Sequence, residues 1–78
     1  DLLNREMDKI YRDNFVKLNS FCQQLFRLVF LGKKMEEIAK TLILKNKHTA
    51  RNRKYRCSQE LIQLMKKDSR YRELKNLD

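Results

Sequence analysis

The sequence predicts an all-α domain of four helices with a short further turn at its C-terminal end. Three observations carry this. There is no proline and a single glycine in 78 residues, and Leu, Lys, Glu, Gln and Arg are abundant; these are the residues that lose least on entering a helix. Apolar residues recur at three- and four-residue spacing along most of the chain, the period of a helix with one buried face. Turn punctuation is too sparse for a sheet protein, which needs a reversal every few residues.

The first helix follows from Leu3, Met7, Ile10, Tyr11, Phe15 and Leu18, one apolar stripe backed by the mixed charges of Arg5, Glu6, Asp8, Lys9, Arg12 and Asp13. Asn19 and Ser20 interrupt it. Ser20 followed by Gln23 reads as a capping box, placing the start of a second helix near Phe21. That helix is apolar nearly all round. Cys22, Leu25, Phe26 and Val29 form its inward stripe, while Phe30 and Leu31 are candidates for docking a partner. Gly32 suits a left-handed cap closing it.

The third helix is expected from Met35 to about Ile43, with Glu36 and Glu37 in its first turn, where carboxylates favour the positive end of the helix dipole. A turn follows around 43–45, and Asn46 is the best N-cap for a fourth helix that sends Ala50, Cys57, Leu61, Leu64 and Met65 inward. Beyond Asp68 and Ser69, Tyr71, Leu74 and Leu77 suggest another turn or two of helix. The chain is read as one domain, 1–78, with a helix-turn-helix at about 35–66.

Charge points to the partner. The formal net charge is +9, and from Ile38 to Gln59 there is no acid, against seven cations: Lys40, Lys45, Lys47, Arg51, Arg53, Lys54 and Arg56. Two helices joined by a tight turn, the second basic, are how a helix-turn-helix looks in sequence; its second helix enters the DNA major groove. The charge favours a polyanion. A membrane surface fits less well, because the face opposite the cations offers Ala50, Cys57 and Leu61 rather than bulky anchors. No apolar run nears the roughly 20 residues a bilayer crossing needs, and no signal-peptide pattern opens the chain.

On the fourth helix, His48, Arg51, Asn52 and Tyr55 share one face and are the candidate base readers. Arg51 can grip guanine O6 and N7, Asn52 can pair with adenine N6 and N7, and Tyr55 can lie against a thymine methyl or donate to a phosphate. Tyr55 serves equally well as an edge residue of the core. Lys47, Arg53, Lys54 and Arg56 are candidate phosphate clamps, with Lys33 and Lys34 on the flank.

The residues carry no sign of an enzyme. There is no glycine-rich phosphate loop and no ordered nucleophile–base set. One His and two widely spaced cysteines cannot make a zinc quartet, so no metal or other cofactor is expected. Cys22 and Cys57 read as buried thiols of an intracellular protein in preference to a disulfide.

The run Phe15-Val-Lys-Leu-Asn-Ser-Phe-Cys22, then Leu25-Phe-Arg-Leu28, Gly32, Met35-Glu-Glu-Ile-Ala39 and Ala50-Arg-Asn-Arg-Lys-Tyr-Arg-Cys57, resembles region 4 of bacterial extracytoplasmic-function sigma factors. The likeness runs from about residue 11 to 74. It implies a winged-helix-like region 4 fold, a cytoplasmic protein, and recognition of the −35 promoter element in double-stranded DNA for transcription initiation. Base or backbone contacts would fall on Arg51, Asn52, Tyr55 and Arg56. It also implies core RNA polymerase as a partner, through the β-subunit flap, and an anti-sigma factor competing for related surface. Region 2, which melts the −10 element, has no counterpart, so the chain is expected to be the C-terminal domain of a longer protein. Two departures stand out. Ile43 occupies the position where the family has glycine, which predicts either a different turn or a longer third helix. Lys45 replaces a small or hydroxyl residue, shifting the cap onto Asn46. The alternatives are a helical protein-interaction module and a helix-turn-helix regulator without polymerase contact.

Overall fold

The computed structural model describes the backbone of residues 2–75 and the side chains of residues 4–74. Five helices follow one another: α1 Leu2–Phe15, α2 Ser20–Phe30, α3 Met35–Thr41, α4 Lys47–Lys67 and α5 Ser69–Lys75. Among the described residues there is no strand, and no helix is long and apolar enough to cross a membrane. The C-terminal turn expected after Asp68 is a helix of seven residues. The places of Leu3 in the first apolar stripe and of Leu77 in the last turn lie outside the described side chains.

The connections correct several expectations. α1 ends at Phe15, and residues 16–18 form a tight turn in which Lys17 N–H donates to Asn14 O and Leu18 N–H to Phe15 O. The cap of α2 is Asn19, one residue before the Ser20 that the sequence suggests. Its side-chain oxygen accepts from Cys22 N–H at 2.8 Å. Gln23 reaches back, but its amide donates to the carbonyls of Leu18 and Val16, bracing the turn.

Two helix ends share one hydrogen-bond pattern. After α2, Gly32 N–H donates to Val29 O and Lys33 N–H to Leu28 O, with Gly32 at φ 81°. After α3, Ile43 N–H donates to Lys40 O and Leu44 N–H to Ala39 O, with Ile43 at φ 57°. Both are Schellman closures, which require a left-handed residue just past the helix. The turn at Ile43 is therefore neither rebuilt nor absorbed into a longer helix. α3 stops at Thr41, and a β-branched residue adopts the conformation glycine would take. The closure satisfies carbonyls that would otherwise be orphaned, which offsets the strain. Ile43 is 91% exposed, so its side chain gains no burial in return.

Among the described residues the main core cluster is built from Leu18, Cys22, Leu25, Phe26, Ile38, Ala39, Ala50, Cys57 and Leu61. The long helix α4 touches each of the other four, so it is the spine of the fold. Ala50 near the start of α4 is fully buried in this cluster. Tyr11 and Phe15 of α1 meet Phe26 and Phe30 of α2 at ring-centroid distances of 6.2–6.4 Å, a spacing at which edge and offset contacts are favourable.

Cys22 and Cys57 are joined in a disulfide linking α2 to α4, with Cα atoms 5.4 Å apart. This overturns the reading of two separate thiols. Helical periodicity shows that each cysteine points inward but cannot show that they face each other. The bridge closes a 35-residue separation, and constraining the unfolded chain over a loop of that size is worth roughly 3–4 kcal/mol. For a chain too small to bury much surface, that is a large share of its stability.

α5 is anchored by a polar joint that sequence does not announce. Asp68 caps it, accepting from Arg70 N–H at 3.0 Å and from the Arg70 guanidinium at 2.8 Å. Asn14, fully buried on α1, donates to Ile10 O at 2.8 Å and to Asp68 at 3.0 Å, and Arg70 also reaches Asp13 at 2.9 Å. The bonds from Arg70 and then Asn14 hold the Asp68 carboxyl well below its ordinary value.

Candidate nucleic-acid interface

α4 begins at Asn46, whose extended backbone turns the chain and whose side-chain oxygen accepts from Thr49 N–H at 3.0 Å and from the Thr49 hydroxyl at 3.2 Å. The cap expected from sequence is the cap observed. From that start, Ala50, Cys57 and Leu61 point into the core. The residues between them on the helical wheel are forced outward.

His48, Arg51, Asn52 and Tyr55 are all exposed, and their spacing puts them on one face. Tyr55 is 66% exposed, which removes the alternative of a core-edge role. From His48 to Tyr55 the helix advances about 10 Å, comparable to the roughly 12 Å width of a B-DNA major groove. Donors and acceptors on this face are therefore spread over a few base pairs.

The flanking cations divide. Lys47 and Arg56 are exposed beside the face. Lys33 and Lys34, from the loop between α2 and α3, line an open cleft of about 490 Å³ together with Lys47 and Arg51 of α4. This brings together two basic segments distant in sequence, and it sets Arg51 among lysines rather than apart from them. Sequence carried no signal for that pairing, because it depends on how α3 packs across the start of α4. Lys33 is also 3.9 Å from the Glu37 carboxylate, both ends exposed, a contact worth little in water. Lys54 is half-buried. The Arg53 guanidinium lies 5.5 Å from the centre of the Phe21 ring on α2, a cation–π contact that holds it against the body of the domain.

Phe30 and Leu31, the candidate docking residues, are 62% and 72% exposed. Phe30 nevertheless leans on Tyr11, Phe15 and Phe26, so it is the rim of the aromatic cluster rather than an isolated side chain.

No family model, curated protein or solved structure matches this chain.

Proposed function

We propose that this domain binds double-stranded DNA through the exposed face of α4, as region 4 of an extracytoplasmic-function sigma factor reading the −35 promoter element. The observation that carries this is the outward presentation of His48, Arg51, Asn52 and Tyr55 on a helix whose opposite side is locked into the core. A short α3, a five-residue connection and a long basic α4 follow in the order of a helix-turn-helix, which supports the reading. Asn52 and Tyr55 stand clear of the cleft and suit base edges. Arg51 is within reach of both a base edge and the phosphates that Lys33, Lys34 and Lys47 would hold.

Fluorescence anisotropy with a −35-like duplex and a scrambled one, at two salt concentrations, tests the reading. Preference for the first is expected, with log K against log salt sloping at about −4 to −6 from released counterions. No preference and a flat salt response would remove it.

One observation favours a second reading, a helical module that binds protein. Phe30 and Leu31 form an exposed apolar edge at the end of α2, which would suit a protein partner such as the polymerase β-subunit flap. Capture by the isolated flap distinguishes a sigma domain from a regulator without polymerase contact. An anti-sigma factor would compete for that capture.

A further inference from the structure

The bridge between α2 and α4 ties the proposed reading helix to the rest of the domain at its midpoint. Both cysteines are 3% exposed, and their backbones stand 5.4 Å apart, within the ordinary range for a disulfide. Beside them, Glu60 Oε2 lies 3.9 Å from Cys22 Sγ. In the bridged form that sulfur has no proton to offer, and the contact is idle. In the dithiol form the same carboxylate accepts an S–H hydrogen bond. The site thus holds a partner that only the reduced state uses. Glu60 also lines an open groove of about 380 Å³ between the turn that joins α1 to α2 and the second half of α4, together with Lys17, Leu18, Leu64 and Lys67. That groove brings solvent to the residue touching the sulfur. The neighbouring residue, Phe21, carries the Arg53 guanidinium, so two ties between α2 and α4 meet at adjacent positions of α2.

We propose that Cys22 and Cys57 form a reversible redox site that sets how rigidly α4 is held, firm when bridged and looser when reduced. The effect on DNA, and the reducing compartment in which a bridge would cycle, rest on the sigma-factor reading; the pairing of the two cysteines does not. In a reducing compartment a disulfide is usually transient and catalytic or redox-sensing rather than structural.

The reductant is a dithiol. Its thiolate attacks one sulfur, the Cys22–Cys57 bond breaks, and a mixed disulfide forms. The electron pair stays on the departing protein sulfur, which takes a proton from water. The second thiol of the reductant resolves the mixed disulfide, leaving the reductant oxidised to its own disulfide and the second protein sulfur protonated. Two electrons and two protons have passed to the protein.

The experiment equilibrates the chain in dithiothreitol buffers of graded potential. At each potential, alkylation and mass give the fraction of dithiol, duplex anisotropy gives affinity, and hydrogen exchange gives protection of the α4 amides. The expected result is a single midpoint shared by all three, with DNA affinity roughly tenfold weaker when reduced, the scale of a modest coupling between sites. The Cys22→Ser, Cys57→Ser double variant should hold the weaker affinity at every potential. Glu60→Ala should shift the alkylation midpoint toward more negative potential by about 30 mV, a tenfold change for a two-electron couple. A bridge unreduced at the potential of thioredoxin, or one reduced without change in α4 protection, overturns the proposal. If neither state binds DNA, the DNA-binding reading has failed, and α4 protection alone decides the redox proposal.

Discussion

Replacing Ile43 with glycine should stabilise this protein, although it deletes a large apolar side chain. Ile43 sits at φ 57° in the Schellman closure after α3. A side chain with a β-carbon in that region costs about 1–2 kcal/mol, and the branch at Cβ places isoleucine among the least tolerant residues. Its side chain is 91% exposed, so removing it forfeits almost no burial. Against the relief stands the greater freedom of glycine in the unfolded chain, about 0.5–1 kcal/mol. The net expectation is a gain of about 0.5–1 kcal/mol, or a Tm higher by roughly 3–6 °C for a domain of this size. Gly32 is the mirror experiment. It occupies the same place in the closure after α2 at φ 81°, and a β-carbon there would meet nothing within 4 Å. Gly32→Ala should therefore lower stability by about 1 kcal/mol through backbone strain alone. Thermal melts followed by circular dichroism at 222 nm check both. A fall in Tm for Ile43→Gly, or shifts of the same sign in both variants, would refute the reasoning and mean that Ile43 makes apolar contacts in the folded state.

Asn46→Ala should cost about 1 kcal/mol by leaving the first N–H groups of α4 uncapped, visible as a lower urea midpoint with an unchanged slope. Asp68, held below its ordinary pKa first by Arg70 and then by Asn14, contributes stability that is whole above about pH 4 and is lost as pH falls toward its folded value. Urea midpoints measured from about pH 5 down to 2 should fall more steeply in the natural protein than in Asp68→Asn. Arg51→Ala should relax base preference at one or two positions of the bound duplex, whereas Lys54→Ala should weaken all sequences about equally. A selection from randomised duplexes reads both, and identical behaviour would undo the division into readers and clamps.

Much of the fold was legible because helices advertise their buried face. The stripes Leu3–Leu18, Cys22–Val29, Met35–Leu42 and Ala50–Met65 are local patterns, and their described members include the buried core together with partly buried residues packed against it. Caps were legible where only one residue could serve, as at Asn46, and misread where two candidates stood side by side, as at Asn19 and Ser20. What sequence withheld is what depends on two helices meeting. The Cys22–Cys57 bridge, the joint of Asn14, Asp68 and Arg70, and the stacking of Arg53 on Phe21 each link distant segments. The candidate interface divides along the same line. The outward face of α4 follows from periodicity, while the grouping of Lys33 and Lys34 with Arg51 follows only from packing.

The glycine turn after α2 has a consequence for how ligands would share this small surface. It sets an oily tip, Phe30 and Leu31, immediately beside a cationic pair, Lys33 and Lys34. A protein seated on the tip and a nucleic-acid strand resting on the pair would be near neighbours, close enough to touch or to collide. Occupancy of either ought to be felt by the other, so affinities taken one ligand at a time would describe only half of the domain's behaviour.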